Sequence, residues 1–272
     1  IRWMNIEDVI SIAQQAGKDS QNIYKYIRGD QPGPGITVAG TFRMLRYLFQ
    51  KARYRFGTDK TIPAKISWYA SQQIITKSLK SLNPEIPIIH SGNSDAIPYN
   101  KRRKWNHFWL IEPFNSSNMQ SRDTETVYSL SISLIEDRTP ILGVVYTPST
   151  DITHYAMAGK GAFKVKNKQK PEKLRSRQEH NGDSLAHSGD APSAFDIPGE
   201  DKSACLTDTL KMCLVAEGKW NLGLTLSGTM EWQTAAAHAI AIATGMRVIT
   251  CDSNEEITYN KEDFSNGCIV ME

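Results

Sequence analysis

Four strand-like runs follow one another between residues 128 and 165, and this sheet-rich block most restricts what the chain can fold into. Residues 128–135 (YSLSISLI) alternate with period two, as a half-buried strand does. The turn residues 137–140 precede a second run at 141–147, which predicts a hairpin. A third run at 153–157 leads through Gly159-Lys160-Gly161 to a fourth at 162–165. Runs this close leave no room for crossover helices, so they read as an antiparallel sheet.

Helical and extended segments flank this block. Ile6, Val9, Ile10, Ile12, Ala13 and Ala16 share one helical face, and Asn5 is placed to cap it, so residues 6–28 read as an amphipathic helix. The stretch 29–35 (GDQPGPG) breaks it, and 41–56 repeats the helical pattern. Short strands are expected at 86–89 and 108–111. Residues 167–203 are polar, with Gly, Pro and Ser and little periodicity, and read as an excursion or linker. Beyond it, 206–217 is helical up to Gly218, 230–244 is an alanine-rich helix up to Gly245, and 247–251 and 268–271 look extended. The expected organisation is an N-terminal α+β lobe (1–166), the excursion, and a C-terminal α/β lobe (204–272).

Hydrophobic residues make up 40% and charged residues 22% of the 272, enough apolar material for a real core. The net charge of +3 gives little reason to expect nucleic-acid binding. The basic runs at 101–104 and 160–173 read as solvated loops. No apolar run reaches the ~18 residues of a membrane span, and a cytoplasmic location is expected. The first residue, Ile1, leaves a removed leader open. Cys205, Cys213, Cys251 and Cys268 form no CxxC pair, which favours reduced core thiols over disulfides. GxGxxG, Walker, HExxH and GxSxG patterns are absent. Asn115-Ser116-Ser117 matches a glycosylation sequon.

The segment 109–117 (WLIEPFNSS) carries the chemical signal. An apolar run ends in Glu112-Pro113 and three small polar residues, which resembles the metal-binding Asp-Pro-hydrophobic-Asp-Gly-Thr turn of the inositol monophosphatase superfamily. The order Ile97-Pro98-Tyr99, Trp105, Phe108-Trp109, YSLSISLI, PILGVVYTP and GKGAF is similar to that of the CysQ-type 3'(2'),5'-bisphosphate nucleotidase branch. The later LKMCLVAEGK, GTMEWQTAAAHAIAIATG and YNKEDFSNGCIV extend the likeness over nearly the whole chain outside about 167–203. The resemblance implies a layered αβαβα sandwich of α+β or α/β class, in two lobes with a cleft between them. It also implies Mg²⁺-dependent hydrolysis of phosphate monoesters, in which the ions polarise the phosphate, activate water and stabilise the leaving oxygen.

Position by position, the acids implied by the resemblance are mostly replaced. The Pro-Val-Thr-x-Ala-Asp segment is read onto 35–40, which ends in Gly40. The Ser-Glu-Glu segment is read onto Ser91-Gly92-Asn93, with a register that can slip by one. In the turn, Glu112 stands for the first aspartate, the carbonyl of Phe114 is kept, Asn115 replaces the second aspartate, and Ser116-Ser117 replace Gly-Thr. Gln233 replaces the acid of Glu-Trp-Asp, and Asn221 and Thr225 stand where Ala-Asp and Tyr-Pro-Arg are expected. The metal positions are therefore Glu112, Phe114, Asn115 and Gln233, with Glu112 and Ser117 in the catalytic places. One carboxylate survives of about five. Unit charges ~5 Å apart interact by about 3 kcal/mol at an effective dielectric of ~20, so the loss of four anions predicts no Mg²⁺ site at ordinary concentrations.

These positions imply a degenerate member of the family that lacks metal-dependent activity and has no cofactor. Ser116, Ser117 and Asn118, at the start of the helix expected after the turn, remain as donors for phosphate, sulfate or an adenosine bisphosphate-like anion. A protein partner or a homo-oligomer is also compatible with the sequence. Two alternatives stand beside this reading: an active phosphomonoesterase with a weak Mg²⁺ site, and a structural subunit.

Overall fold

The computed structural model describes residues 4–28, 62–116, 127–167, 169–175, 206–219 and 224–272. Two long helices, α1 (Ile6–Arg28) and α2 (Ile62–Leu82), come first. Strand β1 (Ile88–Ile89), a 3-10 turn (Ser94–Ala96) and the short helix α3 (Tyr99–Arg102) follow. Six further strands complete a seven-stranded sheet in sequential order: β2 (His107–Ser116), β3 (Tyr128–Glu136), β4 (Thr139–Thr147), β5 (Ile152–Met157), β6 (Gly161–Lys166) and β7 (Glu172–Lys173). Helix α4 (Asp208–Ala216), β8 (Leu224–Ser227), helix α5 (Glu231–Thr244), β9 (Val248–Thr250) and β10 (Cys268–Met271) complete the chain, and the last three strands form a small antiparallel sheet.

Alternation on the strands builds the layers. Trp109, Ile111, Leu130, Ile132, Leu142 and Val144 pack with Val9, Ala13, Ala16, Ile75 and Leu79 of α1 and α2. Phe108, Leu110, Ile135 and Val145 join a second core with α4 and α5, which continues to Leu226, Val248 and Ile269 of the small sheet. The described residues thus run helix pair, large sheet, helix pair, small sheet, in keeping with the layered α/β class. Close approach in the middle depends on Gly143: a Cβ there would lie 2.2 Å from the carbonyl oxygen of Ala236 in α5. The alanine-rich face of α5 therefore rests directly on backbone.

Helix α1 has the extent expected, and Gly245 ends α5 in the left-handed conformation (φ 88°). The β3–β4 hairpin turns through Asp137 and Arg138, both at positive φ (45° and 68°), without glycine. Several expectations need correction. Strand β2 does not stop at Glu112. It runs on to Ser116, and a register shift between Glu112 and Asn115 accommodates Pro113, which has no N–H for the ladder. Helix α2 and strand β8 have no counterpart in the sequence reading. The polar excursion begins with a strand, β7, paired with β6.

Neither basic run is simply a solvated loop. Arg102 is buried and donates to Asn260 Oδ1 (2.9 Å) and to the carbonyls of Lys261 and Glu262 (2.6 and 2.5 Å), with its guanidinium 3.8 Å from the Phe264 ring centre. The second run forms β6 and β7. Reduced thiols are also not the rule. Cys251 and Cys268 form a disulfide with Cα atoms 5.4 Å apart, because antiparallel pairing of β9 and β10 brings together residues 17 apart in sequence. Cys213 is free and buried, and Cys205 lies outside the described residues. Also outside them are the expected loop at 29–35 and helix at 41–56.

Candidate functional site

The site lies where β1 and β2, paired in parallel through Ile88–Trp109 and Ile89–Leu110, reach their C-terminal ends. Glu112 is 6% exposed and sits opposite Ser131 of β3. Burial pushes its carboxyl pKa up to about 8, against hydrogen bonds from the Trp68 side chain and the Phe114 backbone that pull it down. At neutral pH the group is mostly the uncharged acid. Among the described residues the donors it meets are an indole N–H and a peptide N–H.

Trp68 stands in the second turn of α2 and was not anticipated. It packs beside the cluster of Ala64, Phe114 and Tyr128, where the Phe114 and Tyr128 rings stack at 4.3 Å. Its ring also meets His90 edge-on, with centres 5.5 Å apart. His90 Nδ1 accepts from the Gly92 N–H (3.1 Å), and its Nε2 lies 3.1 Å from the Gln72 amide nitrogen. Burial lowers its pKa to about 4, so the ring is neutral at pH 7.

The residues read as replacements for the two glutamates behave differently from one another. Asn93 closes its own turn, accepting from the His90 N–H (2.9 Å) and donating to the Ile88 carbonyl (2.9 Å). Gly92 lies directly under Trp68: a Cβ there would come within 2.7 Å of the indole Cη2. Gly40 lies outside the described residues, as do Ser117, Asn118 and Asn221. Pro63-Ala64-Lys65-Ile66-Ser67-Trp68 has the same proline-led six-residue spacing as the segment read onto 35–40, and its last residue is the one found at Glu112. That spacing, together with a proline in the first turn of a helix that starts at Ile62, is the signal that could have located Trp68.

On the other side of Glu112 the amide residues are tied to helix ends. Thr209, in α4, donates its hydroxyl proton to the Gln233 carbonyl (2.5 Å) and so must accept from Asn115 Nδ2 (3.2 Å). This fixes the Asn115 amide and argues against its use as a sequon in the folded chain, since the nitrogen a glycan would need is engaged and half-buried. Gln233 turns its Oε1 back to accept from the Met230 N–H (2.8 Å), capping α5. Glu231 faces away into the fold and accepts from the backbone N–H groups of Asn260 and Lys261 (2.7 Å each) and from Lys261 Nζ (3.0 Å). Ser116 Oγ is buried without a partner among the described residues, and Thr225 is exposed on β8.

Mg²⁺ requires several hard oxygen ligands in near-octahedral geometry. The described residues do not fit it. Glu112 is a buried acid without a carboxylate cluster around it among the described residues, the Gln233 oxygen is spent on a helix cap, and Asn115 offers only a neutral oxygen. Among the described residues, no three His, Cys, Asp or Glu side chains are grouped to hold a metal ion.

The chain matches the profile of the Inositol monophosphatase family over residues 38–267. It is 31% identical to the 3'(2'),5'-bisphosphate nucleotidase CysQ of Aggregatibacter actinomycetemcomitans, with 98% of this chain and 91% of that protein covered. It is 32% identical to the CysQ nucleotidase of Salmonella typhimurium over 68% of this chain and 75% of that one. The crystal structure of CysQ from Bacteroides thetaiotaomicron, a bacterial member of the inositol monophosphatase family, shares the fold with a TM-score of 0.67 at 23% identity, covering 98% of this chain and 96% of that one. By sequence and by fold, the chain belongs to the inositol monophosphatase family.

Proposed function

We propose that this chain is a non-catalytic member of the family, without metal-dependent phosphatase activity, whose cleft keeps at most the capacity to bind an anion or a phosphorylated nucleotide. The observation that carries this is Glu112, the one acid kept among the positions expected to hold metal. Buried, hydrogen-bonded to the Trp68 side chain and with no cluster of further acids grouped around it among the described residues, it lacks the neighbouring anions that a hard cation requires. Gln233 spends its oxygen on the α5 cap, and Asn115, held through its nitrogen by Thr209, offers a neutral oxygen in place of an acid.

Support for anion binding comes from the helix ends beside Asn115. The N-terminal ends of α4 and α5 meet through the Thr209–Gln233 hydrogen bond, and helix N-termini favour negative charge. Ser116 Oγ adds a hydroxyl that has no partner among the described residues, beside Asn115.

An active phosphomonoesterase is the second reading, favoured by the names of the relatives and by the carboxyl that Glu112 retains. Purified protein given adenosine 3',5'-bisphosphate with Mg²⁺ or Mn²⁺ separates the two. The non-catalytic reading expects no phosphate release above that of Glu112→Ala, and metal-dependent release abolished by that substitution overturns it. Calorimetry with the nucleotide and no metal tests binding: heat and a thermal shift support the anion site, and neither favours a structural role.

Among the described residues no helix is long and apolar enough to cross a membrane. The Cys251–Cys268 disulfide favours folding in an oxidising compartment, contrary to the cytoplasmic expectation, because cytosolic thiols are kept reduced. Thiol labelling of protein taken from its native source decides: two protected cysteines support the oxidising compartment, and full labelling restores the cytoplasmic one.

A further inference from the structure

Trp68, Gly92, His90 and Glu112 form one interlocked group, and the geometry among them goes beyond the loss of acids. The indole N–H is bound to Glu112, the ring edge meets His90, and Cη2 stands above Gly92 so closely that a Cβ there would come within 2.7 Å. The same Cβ would lie 3.2 Å from His90 Nδ1, the atom that accepts from the Gly92 N–H. Gly92 is not among the residues at positive φ, so no backbone conformation demands glycine there. The demand comes from the indole. Ala64, Phe114 and Tyr128 back the indole elsewhere, which restricts its room to move aside.

We propose that Trp68 is a built-in plug: its indole fills the space in which a cation would sit between Glu112 and residue 92, and Gly92 is the substitution that admits it. The two changes are then one event in physical terms. An acid at position 92 is incompatible with the indole, and an acid at position 68 without one at 92 has only Glu112 as a carboxylate partner. This rests on the non-catalytic reading above, and it adds that the pocket is occupied by the chain itself and can be reopened.

A double-variant cycle on the full chain tests the contact. Gly92→Ala alone drives a methyl group into the indole, and the folding equilibrium constant measured by chemical denaturation falls about tenfold or more. In a Trp68→Ala background the same change costs less than about twofold. An equal cost in both backgrounds overturns the proposal.

Mn²⁺ alone, titrated by calorimetry, tests the pocket. The unaltered chain is expected to show no binding at millimolar Mn²⁺. The pair Trp68→Asp with Gly92→Glu is expected to bind about tenfold tighter than either single variant. Binding by the unaltered chain, a single variant that gains as much as the pair, or a folded pair that gains nothing overturns the proposal. Should the pair fail to fold, the alanine cycle still decides. Phosphate release by the unaltered chain would count against the non-catalytic reading, whereas the alanine cycle tests the Trp68–Gly92 contact whatever the activity.

Discussion

Replacing Glu112 by glutamine should flatten a pH dependence that the native acid imposes. The folded-state pKa is raised from 4.5 to about 8, so between those values the native state holds a proton that the unfolded chain has released. Stability from this group is therefore fully present below pH 4.5 and is lost as pH rises toward 8. Each unit is worth about 1.4 kcal/mol, and allowing for partial ionisation near pH 8, the loss between pH 6 and 8 is about 2 kcal/mol. His90, held neutral with its pKa lowered to about 4, and His238, lowered to about 3, act in the opposite sense: their contributions are lost as pH falls from 6.5. The difference between the unaltered chain and Glu112→Gln cancels both. Urea unfolding at pH 6, 7 and 8 should show the native advantage shrinking by about 2 kcal/mol across the series. Parallel stabilities at all three pH values would refute the placement of Glu112 as a buried neutral acid.

Three further outcomes rest on packing and pairing. Gly143→Ala should destabilise the fold by about 3 kcal/mol or more in denaturant titrations, because its methyl meets the backbone of α5 rather than a side chain that can turn away. Glu231→Ala leaves two backbone N–H groups without their acceptor and removes the counter-charge of Lys261, for an expected loss of about 3 kcal/mol by the same measurement. Reducing the Cys251–Cys268 bridge, which spans 17 residues, should cost about 3 kcal/mol and lower the melting temperature, and the double serine variant should melt at the same point with or without reductant.

The parts of the fold legible in the sequence were those with a clean period. YSLSISLI alternates and became β3. The apolar stripe of α1 and the glycine after α5 marked their elements correctly, since local propensity and tertiary packing agree there. Helix α2 escaped notice because it buries Ser67, Ser71 and Gln72 along with its apolar residues, which blurs the stripe. The site suffered from the same omission. Reading for missing acids identified Glu112, Asn115 and Gln233 as chemically altered, but not what replaced the lost interactions. A tryptophan and a histidine carry no motif, and Trp68 and His90 acquire meaning only from the space beside Gly92. The disulfide was hidden for a related reason: 17 intervening residues give no spacing signal, and only the strand register brings the two cysteines together.

Whether this cleft performs metal-dependent phosphate chemistry is decided by steady-state phosphate release from adenosine 3',5'-bisphosphate at millimolar Mg²⁺, with the Salmonella typhimurium CysQ nucleotidase assayed alongside as the reference. For a cleft with a neutral Glu112 and a tryptophan in place of a cation, release should equal the protein-free background and be unchanged by Glu112→Ala. Release that rises with Mg²⁺, saturates with nucleotide and disappears in Glu112→Ala would show that the metal chemistry survives.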